Sequence, residues 1–224
     1  MCFRCEDSGF VSKGKQTLEE LAHVRALNEA AANERYDIKL PNDFTTEIPL
    51  VGRLWLYKGG ITESVWRQYK FGWSEKMQRV VMPVYKGEKL VWFQARAVLH
   101  GQKPKYLNPT GDRNALIFWA DSTPSGSVRG TPITVNEDIL SAIRVGAVTP
   151  ACSLLGTKIT TAQANQLAQY DRVTTWLDSD RAGVEGAHKI RRLLGMVTEV
   201  RNIVTTRDPK LQCNDTIREL LCTQ

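Results

Sequence analysis

Residues 173–183 read Val-Thr-Thr-Trp-Leu-Asp-Ser-Asp-Arg-Ala-Gly. A β-branched and apolar run ends in two carboxylates one residue apart, and a small-residue helix start follows. Side chains alternate faces along a strand, so Asp178 and Asp180 share one side as the strand ends. Two close carboxylates repel each other, and a divalent cation between them keeps both ionised. A second acid stands at the end of an apolar run upstream, in Thr134-Val135-Asn136-Glu137-Asp138, and Leu155-Gly156-Thr157 supplies a tight turn between the two. These strand-ending acids are candidates to hold a divalent cation, Mg²⁺ or Mn²⁺.

Such acids need a rigid support. Residues 131–224 alternate apolar strands (Ile133 to Val135, Val173 to Leu177, Val197 to Val204) with helical runs. That alternation implies a parallel sheet flanked by helices, with the chemistry at the strand C-terminal ends. Gly183 lets the helix after Asp180 begin close to the sheet, and Arg181 is either a phosphate ligand or a surface arginine. Asp138 is expected to face away from Glu137 as a capping residue. The Ser/Pro/Gly/Thr-rich stretch 121–130 reads as a surface linker. Residues 16–75 read as a helical N-terminal segment. It has a capping-box start at Thr17-Leu18-Glu19-Glu20, a break at Pro41, and a further helix near Thr62 to Tyr69. Residues 76–130 form a β-rich segment and linker, whose hairpin runs Val80 to Tyr85, turns at Lys86-Gly87 and returns from Leu90 to Phe93.

The chain has 224 residues, enough for one sizeable domain or two small ones, and a formal charge of +6, which permits a nucleic-acid partner. No apolar run reaches the roughly 18 residues of a membrane span and no signal peptide is visible, so a cytoplasmic protein without a membrane partner is expected. In the β-rich segment Arg79, Arg96, Lys103 and Lys105 interleave with Trp92, Phe93 and Tyr106. Phosphates can take that charge and bases can stack on the rings. An ordinary half-exposed sheet with solvated Lys and Arg is the competing reading.

Taken in order, Arg79-Val80-Val81-Met82-Pro83-Val84, Gln94-Ala95-Arg96-Ala97, Pro104-Lys105-Tyr106-Leu107-Asn108 and the acid motifs resemble the Toprim-domain primases of bacteria and phages, over about residues 60–215. The resemblance implies an α/β fold in which a Toprim domain (131–224) is preceded by a smaller mixed α+β basic subdomain. It implies a DNA primase, a DNA-directed RNA polymerase that makes short RNA primers on single-stranded DNA from ribonucleoside triphosphates by two-metal transfer. Glu137 becomes the first-strand catalytic acid and Asp178 and Asp180 the metal-holding pair. Asp208, in Arg207-Asp208-Pro209-Lys210, is a metal acid or a turn-starting residue. Arg79, Arg96, Lys103, Lys105, Tyr106 and Asn108 are the candidates for nucleic-acid contact. The chain departs from the family in two places: Ser141 stands where an Asp is usual, and Lys210 where a second acid often follows Asp208. Fewer carboxylates weaken one metal site or leave it to be completed by the triphosphate.

Cys2 and Cys5, followed by Gly9, have the spacing of one zinc knuckle, here within residues 1–15. Structural zinc takes four ligands, and His23 reads as a surface histidine. Zinc binding and the relic of a lost ribbon both stand open, with less than one equivalent of zinc expected. No Gly-x-x-x-x-Gly-Lys-Ser/Thr loop occurs, so the expected partner is a separate replicative helicase, in a phage-like arrangement. A non-catalytic single-stranded DNA-binding accessory protein and a Toprim nuclease are the alternatives.

Overall fold

The computed structural model of the chain describes residues 38–120 and 131–222. The expected knuckle at Cys2 and Cys5, the capping box at Thr17 and the 121–130 linker lie outside those residues. Two short helices, α1 (Leu50–Lys58) and α2 (Glu63–Gln68), accompany the first sheet. The first sheet is antiparallel throughout. Strands β1 (Phe44–Thr45), β2 (Gly72–Ser74), β3 (Arg79–Lys86), β4 (Lys89–Ala97) and β5 (Tyr106–Leu107) lie in that spatial order. Its centre is the expected hairpin, turning at Gly87, whose φ of +62° suits a residue without Cβ. From Arg79 to Val84 every residue of β3 is buried, because the sheet is covered on both faces there.

The second sheet has the spatial order β10-β9-β7-β8-β6. Strands β7 (Pro132–Asn136), β8 (Ala151–Ser153), β9 (Arg172–Trp176) and β10 (Glu199–Asn202) are parallel, and β6 (Phe118–Trp119) runs antiparallel at the edge beside β8. Four helices follow the strands: α3 (Ile139–Gly146), α4 (Thr161–Leu167), α5 (Arg181–Leu194) and α6 (Asn214–Cys222). One face packs Ile133, Val135 and Val173 against Leu167 of α4 and Ile190 and Leu194 of α5. On the other face Trp176 and Ile203 pack with Val145 of α3 and Ile217 of α6. Burial on both faces is the usual condition of a parallel sheet. The α/β class and the mixed basic unit before it are thus as the sequence indicated.

The two sheets share one core. Met82 and Trp92 of the first sheet, with Leu56 of α1, Trp66 of α2 and Phe71, share a cluster with Phe118 of the second sheet, Ile139 and Leu140 of α3, and Leu155. Fully burying each such side chain contributes on the order of 1.5–3 kcal/mol. That packing holds β5 and the ends of β7 and β9 in fixed relation.

Candidate active site

The chain passes from β7 to β8 on one side and then returns through α4 to β9 on the other side of β7. The crevice between β7 and β9 is therefore the point where successive strands leave in opposite directions, the customary ligand position in an open α/β sheet. Register pairs Asn136 with Trp176, so Glu137 and the Leu177-Asp178 step leave the sheet at one level. Asp208 follows the next strand over, β10.

Glu137 is gripped through its backbone. Its carbonyl accepts from Ser153 Oγ at 2.8 Å and from the Gly156 amide at 2.9 Å. Ser153 Oγ accepts in turn from the Leu155 amide at 2.9 Å. The Gly-Thr turn thus fixes the first acid, and Gly156 reaches it with a φ of +152° that other residues rarely adopt. Asp178 is held from the other side. A Cβ on Gly183 would lie 1.9 Å from the Asp178 carbonyl oxygen, so only glycine lets α5 start this close to the strand end. Asp180 caps that helix, accepting from the Gly183 amide at 2.8 Å.

Burial and like charge shape the electrostatics of Glu137 and Asp178. Burial, followed by repulsion from Asp178, Asp180 and Asp138, pushes the Glu137 carboxyl up to about 7, and Lys105 opposes this. Burial also raises Asp178, with Lys210 lowering it and Asp208 and Asp138 raising it. Glu137 Oε2 and Asp178 Oδ1 are buried with no hydrogen-bond partner. A buried carboxylate oxygen without a donor is costly, and a cation would satisfy it.

Asp138 is a cap, as expected: Oδ1 accepts from the Ser141 amide at 3.0 Å and Oδ2 from Ser141 Oγ at 3.1 Å. Ser141 and Lys210, which stand where the resemblance implied acids, both converge on it. Lys210 Nζ donates to Asp138 Oδ2 at 2.9 Å and to Asp208 Oδ2 at 2.7 Å. Asp208 therefore has an ammonium partner here. Burial disfavours the Lys210 charge, yet Asp138 and the hydrogen bond to Asp208 hold its pKa above the ordinary lysine value. Residue types could suggest a Lys210–Asp208 contact at i, i+2, but the pairing with Asp138 joins residues 72 positions apart and leaves no local signal.

The basic segment is coupled electrostatically to this cluster through Lys105 and Tyr106. Lys105 and Asn108 are exposed, as is Lys103, while Tyr106 is half-buried. Arg79 is only 3% exposed. Its Nη1 donates to the Lys105 carbonyl at 3.4 Å, Arg96 Nη1 to the same oxygen at 3.3 Å, and the Ala97 amide at 3.0 Å. Arg79 and Arg96 thus fix the loop that carries Lys105. The Arg96 guanidinium also lies over the rings of Trp55 (5.5 Å) and Tyr106 (5.0 Å), an aromatic pairing with Trp55 that the sequence reading missed. Burial, with the nearby Asp138 carboxylate, pushes the Tyr106 phenol up to about 12. Asn108 Oδ1 lies 3.4 Å from Gln94 Nε2, on the same sheet.

Among the described residues no three His, Cys, Asp or Glu side chains enclose an ion by themselves. Mg²⁺, which keeps most of its waters and binds through one or two carboxylates and a substrate phosphate, still fits the bare oxygens of Glu137 and Asp178. Among the described residues no helix is long and apolar enough to cross a membrane.

Residues 137–215 match the family described as Toprim-like. No curated protein matches the chain in sequence. Among solved structures, the zinc-binding and RNA polymerase domains of the Aquifex aeolicus primase superpose with a TM-score of 0.62 at 19% identity, over 76% of this chain and 54% of that one. The chain thus spans about half the length of that relative. The RNA polymerase domain of the Mycobacterium tuberculosis primase gives a TM-score of 0.62 at 17% identity, over 90% of this chain and 83% of that one. The primase fragment of the bacteriophage T7 primase-helicase protein gives 0.58 at 16% identity, over 88% and 84%.

Proposed function

We propose that this chain, which carries a Toprim-like domain within the fold of primase RNA polymerase domains, is a metal-dependent nucleotidyltransferase that extends RNA primers on single-stranded DNA. The observation that carries the proposal is the meeting of two unlike surfaces. Two carboxylates with bare buried oxygens end adjacent parallel strands, and Lys105 and Tyr106 lie near enough to Glu137 to be coupled to it electrostatically. Acids alone would suit many hydrolases, whereas a cationic aromatic strand beside them suits a nucleic-acid backbone and a triphosphate.

Glu137 and Asp178 would hold Mg²⁺ or Mn²⁺. Such an ion would act as a Lewis acid, stabilising charge on the attacking 3′-oxygen and the leaving pyrophosphate. Asp180 and Asp138 cap the two helices that begin at the site, whose ends carry partial positive charge that would favour bound phosphates. Lys105 offsets charge on the incoming triphosphate. Arg79 and Arg96 keep the Lys105 loop in place, and the Tyr106 face, with Arg96 against it, offers a stacking surface for a template or primer base. Lys103 and Asn108 extend the exposed polar track on the same loop. A replicative helicase supplying single strands is the natural partner, and any zinc-dependent template selection would come through Cys2 and Cys5.

The test is incorporation of α-³²P-labelled ribonucleotides on single-stranded DNA with Mg²⁺ or Mn²⁺. Synthesis lost in Asp178→Asn, with circular dichroism and strand binding retained, supports the reading. Undiminished synthesis in that variant contradicts it.

A further inference from the structure

Five carboxylates crowd the sheet end, and one lysine stands among them. Lys210 sits on the turn Pro209–Leu211 and spans from Asp138, just after β7, to Asp208, just after β10, past the end of β9 where Asp178 lies. The lysine side chain is 20% exposed and that of Asp138 16%, so the bridge is largely removed from solvent. After burial, Lys210 is the strongest influence on Asp178. Ser141, against the Asp138 carboxylate, adds a donor and no charge. A divalent ion on the Asp208 side would have to displace an ammonium from two carboxylates at once. On the other side, Glu137 Oε2 and Asp178 Oδ1 remain without a donor.

We propose that Lys210 is a built-in cation that takes the place of a second divalent ion, so that the protein itself holds a single metal between Glu137 and Asp178. This rests on the reading of those two acids as the metal carboxylates. Lys210 then acts as a positioning residue. It keeps Asp138 on its helix cap and Asp208 away from the metal, and any further ion must arrive already bound to the triphosphate. The arrangement keeps the site at moderate negative charge before substrate binds, because one fixed positive charge is always present.

The experiment is direct Mn²⁺ binding to the purified chain, followed by the electron paramagnetic resonance of free Mn²⁺ and by calorimetry, without DNA or nucleotide. The wild-type chain is expected to bind one Mn²⁺. Lys210→Met, which frees Asp138 and Asp208, is expected to bind two, and Lys210→Arg, which keeps the charge, one. Asp208→Asn serves if Lys210→Met fails to fold, and it should leave the single Mn²⁺ and its affinity unchanged within about twofold. Two ions on the wild type, an unchanged count in folded Lys210→Met, or loss of the ion in Asp208→Asn would each overturn the inference. Absence of primer synthesis alongside one bound Mn²⁺ would count against the proposed function alone.

Discussion

Replacing Glu137 with Gln tests the electrostatic strain of the site without reference to catalysis. The Glu137 carboxyl moves from 4.5 to about 7 on folding, through burial first and then repulsion by Asp178, Asp180 and Asp138. A carboxyl raised in this way favours the folded state when protonated. Its ionisation costs stability progressively as pH rises from 4.5, and the whole cost is present above 7. The upper bound on that cost is about 3 kcal/mol. Glu137 is only part-buried, so solvent screening reduces it to about 1–2 kcal/mol. Glutamine keeps the shape and carries no charge. In chelator, Glu137→Gln should match the wild type near about pH 4.5 and exceed it by about 1–2 kcal/mol near about pH 8. For a chain of this size that is roughly 2–8 °C in Tm. Adding Mg²⁺ should stabilise the wild type and leave the variant nearly unmoved, since a ligand stabilises only the state that binds it. Urea and thermal unfolding across this pH range decide the matter. A variant no more stable than wild type at the alkaline end, or a gain that does not vary with pH, refutes the proposed repulsion.

Gly183→Ala should destabilise the fold by about 1–3 kcal/mol in urea unfolding, because its Cβ would meet the Asp178 carbonyl oxygen at 1.9 Å and α5 would have to move away from the strand end. A loss below about 0.5 kcal/mol would show that the close approach does not matter. Lys105→Ala should weaken single-strand binding for every sequence and reduce the salt slope by about one, measured by fluorescence anisotropy across a salt series. An unchanged slope would remove Lys105 from the nucleic-acid track.

The acid-bearing strand was legible because it is strongly marked. Thr174, Thr175 and Trp176 end in Asp-x-Asp, and β-branched residues buried on both faces read as a parallel strand even in isolation. The hairpin was legible for the same reason, with Gly87 between two apolar runs. Strands β1, β5 and β6 are two residues long and β8 three, too short for any period to register, and they exist because neighbours offer them hydrogen bonds. Arg79 shows a second limit of local pattern. A cation in an apolar strand reads as a half-exposed surface group, yet β3 is covered on both faces, and the guanidinium is buried against the Lys105 carbonyl. The Lys210 bridge was legible only as a departure from an acidic motif. Its meaning depends on Asp138, which the fold brings from the far end of β7.

The measurement that bears most directly on the central claim follows two labels in one reaction. The chain is given single-stranded DNA carrying a 5′ fluorophore and α-³²P ribonucleotides, with Mn²⁺, and the products are separated on a denaturing gel. Short radiolabelled RNA, dependent on both metal and template and absent with Asp178→Asn, alongside intact fluorescent DNA, is the predicted result. Shortened fluorescent DNA with no labelled RNA would show that the same acids hydrolyse phosphodiesters, and would contradict the assignment as a polymerase.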